Sequence, residues 1–243
     1  MKKMTLLAVI LFTAVCQIWA QTNTGGTIPL IGETAPSFTA ASTTGTIHFP
    51  GDYSNKWKIL FSHPADFTPV CTSEILELAS MQDDFNKLGT QIVVVSTNDV
   101  ESHNQWCKSI ESITYNNKQG SKINFPLVDD KSLEISKKYG MLHASSNTTK
   151  DVRGVFIIDP KNTIRAIFFY PMNVGRNIDE LKRTVQALQV ADSKNVLTPA
   201  DWQPGGDVLL PYTKYTSDQE ALAKQNDPDL YKVTWYMWGT KLK

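Results

Sequence analysis

A cysteine placed where a helix is about to begin constrains this chain more than any other feature. It lies in the run HPADFTPVCTSE, from His63 to Glu74. Upstream, Trp57 to Ser62 (WKILFS) is a short apolar run of strand type, Pro64 breaks it, and Thr68 followed by Pro69 announces a helix. Thr68 suits the N-cap position. Pro69 loses nothing at the first helical position, where its missing amide would have had no partner. Cys71 then becomes the third helical residue. N–H groups there have no intrahelical acceptor and lie at the positive end of the helix dipole, which favours a thiolate over a thiol. The thiolate is the reactive form, so this segment supplies half of an activated sulfur.

The other half is a fixed positive charge. Arg153, in DVRGVFIIDP at the entrance of a second buried-type strand, is the leading candidate, with Arg165 and Arg176 as rivals. Arginine suits the role because it stays protonated and its planar fork can bond a sulfur and a substrate oxygen together. Glu74, in the same helical turn as Cys71, is placed to hold that fork.

These residues resemble the peroxiredoxins. Pro64, Thr68 and Cys71 match that family's PxxxTxxC signature, and Arg153 matches its arginine in RGVFIID. SHPADFTPVCTSE, FPLVDD (Phe125 to Asp130), YPMNVGRNIDEL (Tyr170 to Leu181) and DWQPGGDVLLP (Asp201 to Pro211) are similar to the single-cysteine (AhpC/TSA-type) branch. The resemblance implies an α/β, thioredoxin-like fold with a small C-terminal β-containing extension. It also implies reduction of hydrogen peroxide and organic hydroperoxides: the Cys71 thiolate attacks the distal peroxide oxygen, leaving water or an alcohol and a sulfenic acid. An external thiol or thioredoxin-like reductant must then reduce that acid. Catalytic roles are implied for Cys71, Thr68, Pro64 and Arg153, and supporting roles for Glu74, His63 and Arg176. A homodimer, extending to a larger ring, is implied too, with no cofactor.

Charge and cysteine count bound the setting. Lys plus Arg is 24 and Asp plus Glu is 24, so there is no electrostatic case for nucleic acid or an anionic membrane. Lys2 and Lys3 precede an apolar run from Leu6 to Trp19, and Ala20 then Gln21 offers a cleavage point. That is the layout of a secretory signal peptide over residues 1–20, too short for a span of ~20 apolar residues. Residues 21–29 read as a linker, 30–190 as the peroxiredoxin domain and 191–243 as a C-terminal arm that, by resemblance, helps cover a dimer partner's active site. An exported protein, periplasmic or extracellular, without membrane contact after cleavage is the expectation. Cleavage removes Cys16 and leaves Cys71 and Cys107, which make no disulfide framework. His48, His63, His103 and His143 are scattered without ligand spacing, so no metal is expected.

The pattern predicts strands at Trp57–Ser62, Gln91–Thr97, Val152–Asp159 and Thr163–Tyr170, and helices at Pro69–Leu88, Val100–Tyr115, Ser132–Tyr139 and Ile178–Val190. Gly89 is the expected C-terminal cap of the first helix, and LYKVTWYMW near the end reads as one aromatic strand. His63 reads either as tuning the pocket or as hydrogen-bonded structure. Cys107 reads as core packing, since nothing in the sequence brings its helix to the start of the Cys71 helix. The arm has no cysteine, so the resolving thiol of two-cysteine relatives is missing, and GDYSNKWKIL lacks the GxSxG lipase element of some single-cysteine relatives. Two other classes stay open. A thiol–disulfide oxidoreductase would need CxxC where this chain has TPVC, and a peroxide sensor or holdase would oxidise once rather than turn over.

Overall fold

A computed structural model describes residues 27–146, 149–212 and 215–242. The expected signal segment lies outside the described residues. Among those described, no helix is long and apolar enough to cross a membrane.

WKILFS forms β3 (Trp57–Ser62), and all six residues are buried. A strand covered on both faces needs a continuous apolar run rather than an alternating one, which is what the sequence has. It pairs in parallel with β4 (Thr90–Ser96) and antiparallel with β8 (Arg153–Ile158). The hairpin of β1 (Phe38–Ser42) and β2 (Gly45–Phe49), with β7 (Leu127–Asp129) and β9 (Ile164–Tyr170), completes a seven-stranded sheet in the order β2-β1-β7-β4-β3-β8-β9.

Helices cover both faces. On one, Ile59 and Phe61 of β3 pack with Cys71, Ile75, Leu78 and Phe85 of α1 (Pro69–Lys87), Trp106 and Ile110 of α2 (Val100–Glu111), and Leu181 and Val185 of α4 (Ile178–Lys194). On the other, Leu60, Val93 and Phe156 meet Ile135 of α3 (Glu134–Lys138) and Tyr139. β3 and α1 are therefore fixed from all sides, and the loop between them, residues 63–68, opens at the sheet's carboxyl edge, where α/β folds place their sites.

Several boundaries differ from the sequence reading. α2 stops at Glu111, because Asn116 and Asn117, both with positive φ (49° and 61°), turn a small hairpin of β5 (Thr114–Tyr115) and β6 (Lys118–Gln119). That is the turn type Asn tolerates best. α4 runs on to Lys194, where Asn195 in a left-handed conformation ends it. The aromatic segment is a hairpin, β11 (Tyr231–Thr234) and β12 (Met237–Thr240), and β10 (Val208–Leu209) pairs with β12. The polar stretch before it forms α5 (Ser217–Asn226), opened by a Thr216/Gln219 capping box. Gly89, with φ +62°, follows α1 as expected.

Asp151, two residues before Arg153, is fully buried, and neither carboxylate oxygen has a hydrogen-bond partner. Ser136 directs its hydroxyl to Asp130 instead, at 2.5 Å. Burial, with the charge of Asp130 adding to it, raises the Asp151 pKa well above the usual carboxylate value. A carboxyl whose pKa is higher folded than unfolded stabilises fully below the unfolded pKa and loses that contribution as pH rises. Asp151→Asn should therefore melt higher than the parent at neutral pH, with the gap growing as pH rises above the usual carboxylate range. Melting curves at rising pH check it, and a gap that does not grow with pH overturns it.

Candidate active site

Cys71 enters the site from the first turn of α1. Pro69 opens that helix, and its first bond across the N-cap runs from Thr72 N–H to the Thr68 carbonyl at 2.9 Å. The N–H groups of Val70 and Cys71 precede it and have no helical acceptor. The Thr68 hydroxyl does not cap the helix as expected; it donates to the Ala65 carbonyl at 2.8 Å. Its one proton is thus committed, and its lone pairs remain to accept.

Arg153, the leading candidate of the three arginines, is the one in contact with the sulfur. Its Nη1 donates to Cys71 Sγ at 3.3 Å and to Glu74 Oε2 at 2.7 Å, while Nε and Nη2 donate to the Met172 carbonyl at 3.0 and 2.5 Å. Arg165 is elsewhere, paired with Asp159 and Asp192. Arg176 supports from behind. Its Nε and Nη2 donate to Glu74 Oε1 and Oε2 at 2.9 and 2.8 Å, and Nη1 donates to the Ser62 and Gly154 carbonyls. The guanidinium also lies over the Phe61 ring, 3.3 Å from its centroid. Burial lowers the Arg176 pKa from its ordinary value, while Glu74 acts to raise it.

The charges count simply. Cys71, Glu74, Arg153 and Arg176 are all buried. Two guanidinium charges face one carboxylate, and a negatively charged sulfur brings the sum to zero. Leaving a buried charge unpaired costs several kcal/mol, so the two arginines place an excess of positive charge against Sγ.

Around this cluster Pro64 is buried beside the sulfur's loop. His63 is fully buried, and neither ring nitrogen has a hydrogen-bond partner; Asp66 Oδ1 lies 3.6 Å from Nε2. Burial pushes its pKa down to about 3, so the ring is neutral. It stacks instead against Trp106, with ring centroids 4.9 Å apart. Trp106 and Asp66 are thus its nearest aromatic and charged neighbours.

Two further expectations need correction. His63 and His103 are not scattered: with Asp66 they form the one group among the described residues whose potential metal-ligand atoms lie within 4.8 Å of one another. Two of the three are already engaged, since His103 Nδ1 meets both Asp66 oxygens at 2.9 and 3.0 Å. The helix carrying Cys107 does reach the start of the Cys71 helix, because Trp106 Nε1 donates to Thr72 Oγ1 at 3.2 Å. Cys107 itself packs partly buried against the core as a free thiol. Burial, and then Asp66 and Glu111, raise its pKa to about 12, leaving it a poor nucleophile. Asp66 went unnoticed in the sequence, and His103 was read only as one of four scattered histidines; the i,i+3 spacing of His103 and Trp106 on one helix face was the available signal.

A sheet of this topology with a sealed thiol at a helix start is the frame of a thiol-dependent peroxidase on the thioredoxin-like plan. The chain belongs to the AhpC/TSA family, whose pattern matches residues 31–167, and the C-terminal domain of 1-Cys peroxiredoxin matches residues 187–226. A peroxiredoxin from Methanosarcina mazei is 51% identical over 185 residues, covering 76% of this chain and 84% of its own. Among solved structures, a yeast mitochondrial 1-Cys peroxiredoxin superposes with a TM-score of 0.76 at 36% identity, covering 88% of this chain and 100% of its own. A Cys→Ser variant of peroxiredoxin 6 from Arenicola marina gives 0.77 at 30% identity, covering 88% and 99%. The protein is an oxidoreductase that reduces peroxides at the expense of thiols.

Glu74→Gln keeps the shape of the bridge and removes its charge. It should cost about 3–5 kcal/mol of folding stability, the usual loss when one partner of a buried ion pair is removed. Urea denaturation checks this, and a loss below about 1 kcal/mol would mean that the two arginines are neutralised by something other than Glu74.

Proposed function

We propose that Cys71 is the peroxidatic nucleophile of a single-cysteine cycle, and that Thr68, Pro64 and Arg153 assemble the peroxide around it. The observation that carries this is the Arg153 Nη1 contact to Cys71 Sγ at 3.3 Å inside a charge-balanced cluster. The Cys71 thiolate attacks the hydroxyl-bearing oxygen of the peroxide, the S–O bond forms as O–O breaks, and the electron pair leaves on the other oxygen. Arg153 stabilises that developing anion, which takes a proton to become water or an alcohol. The lone pairs of Thr68 accept the peroxide O–H and align the bond with sulfur. Pro64 closes the pocket against water. Glu74 and Arg176 hold Arg153, and His63 fills the wall as a neutral ring.

The sulfenic acid is returned to thiol by two equivalents of an outside thiol, with release of water and a disulfide. Three features support outside resolution: Cys107 is protonated at neutral pH, the C-terminal arm carries no cysteine, and the similar yeast structure is described as resolved through glutathione/thioredoxin systems. A homodimer fits the edge strand β9, whose residues after Ile164 are half-buried and which pairs only with β8 among the described strands. The Lys2–Lys3 start and the Leu6–Trp19 run support export, with mature protein beginning near Gln21.

One experiment tests the cycle. Cys71→Ser should stay folded and lose peroxidase turnover, while Cys107→Ala should turn over normally with a small thiol and leave a Cys71 sulfenic acid that a dimedone-type reagent traps. A Cys71–Cys107 disulfide as the main product of stoichiometric peroxide would replace the single-cysteine reading with a two-cysteine one. Export has its own check: N-terminal sequencing of secreted protein should find a start near Gln21, and material beginning at Met1 would refute it.

A further inference from the structure

The loop from His63 to Thr68 is short and strained, yet it sets the position of the Thr68 hydroxyl and of the helix start that carries Cys71. Phe67 within it has φ +53°, a left-handed conformation unusual for a bulky residue, and its side chain is 56% exposed. The ring meets Trp106 of α2 only at the outer end of aromatic contact range, with centroids 6.5 Å apart, so most of the restraint on the backbone comes from elsewhere. Strained residues persist only where their surroundings over-determine them. The neighbouring residue supplies the restraint.

Asp66 is buried and faces the N-terminus of α2. Its Oδ2 accepts from Ser102 Oγ at 2.6 Å, and both its oxygens meet His103 Nδ1. Its own N–H donates to Asn98 Oδ1 at 3.1 Å, so backbone and side chain of one residue are both tied to the segment that begins α2. α2 is itself fixed: Asp99 caps it through Ser102 N–H at 3.0 Å, and His103 Nε2 is 3.1 Å from the Val128 carbonyl in β7. A carbonyl oxygen can only accept, so Nε2 carries a proton. Nδ1 faces the Asp66 carboxyl, so the His103 ring spans from the loop before α1 to β7 through its two nitrogens.

We propose that Asp66, clamped by His103 and Ser102, is a positioning residue for peroxide reduction: it holds Phe67 in its strained conformation and so places Thr68 for the substrate. Neither Asp66 nor His103 is within hydrogen-bond reach of the sulfur in any contact of the structure. The effect passes through the backbone of residues 66–68. It rests on the assignment of Cys71 as nucleophile and Thr68 as the group that aligns the peroxide.

The test separates orientation from thiolate reactivity. Alkylation of Cys71 by iodoacetamide reads the nucleophilicity of the sulfur and needs no alignment by Thr68, whereas reaction with hydrogen peroxide needs both. Asp66→Asn and His103→Gln should each slow peroxide reduction by about 10-fold or more in the folded protein, while alkylation changes less than about twofold; misplacement by an ångström is enough for such losses. Ser102→Ala, which removes one donor and keeps the pair, should slow the peroxide reaction by a smaller factor. The Asp66→Asn/His103→Gln double variant should be no slower than the worse single one, because the two act as a unit. A purely structural clamp would lower the melting temperature and leave the peroxide rate of folded protein within about twofold of the parent, and that result overturns the proposal. Should the Asp66 variant fail to fold, an unchanged peroxide rate in folded His103→Gln and Ser102→Ala would overturn it equally. Persistent turnover in Cys71→Ser would instead remove the underlying assignment, so the two failures are distinguishable.

Discussion

The carboxylate of Glu74 bridging two guanidinium groups is the contact on which the rest of the site depends. Its two oxygens take Arg153 from the start of β8 and Arg176 from the loop after β9, and Oε1 also takes the Arg176 backbone N–H at 2.8 Å. Arg176 in turn reaches the carbonyls of Ser62 at the end of β3 and Gly154 in β8. One turn of α1, two central strands and a connecting loop thus converge on one side chain. The apolar core packs the helix against the sheet, but apolar contact is non-directional and does not fix where charges point. Hydrogen bonds to a buried carboxylate do, because every misaligned donor is left without water.

The position of that bridge explains why part of the site was legible in sequence and part was not. Trp57–Ser62 and the start at Pro69 matched the structure because each is encoded locally, by an uninterrupted apolar run and by a proline suited to the first helical turn. The β1–β2 hairpin and β7 went unread: they are short, and β7 joins the sheet through β4 and a single register pair with β1. The choice among Arg153, Arg165 and Arg176 could not be made from charge alone. Asp159 and Asp192 settle it by holding Arg165 on the far side of the domain, and neither neighbours it in sequence.

Side-chain direction was the other hidden quantity. Thr68 sits at the position where a threonine ordinarily caps a helix, and its hydroxyl turns to Ala65 instead. His63 and His103 lie on different elements, so only the approach of α2 to the loop before α1 brings them together. The C-terminal arm follows the same logic. Trp202 buries its ring against Ala187 of α4 and Val208, and its carbonyl accepts from Arg183 at 3.0 Å, so a segment rich in proline and glycine is tied down by one tryptophan.

The balance of charge around Glu74 also gives the catalytic cycle a mechanical sense. In the proposed cycle a thiolate becomes an uncharged sulfenic acid while Glu74, Arg153 and Arg176 keep their charges, so the cluster would gain one uncompensated positive charge. The sulfur of Cys71 has no exposed surface at all, so any reagent that reaches it must first displace the turn of α1 and the loop that enclose it.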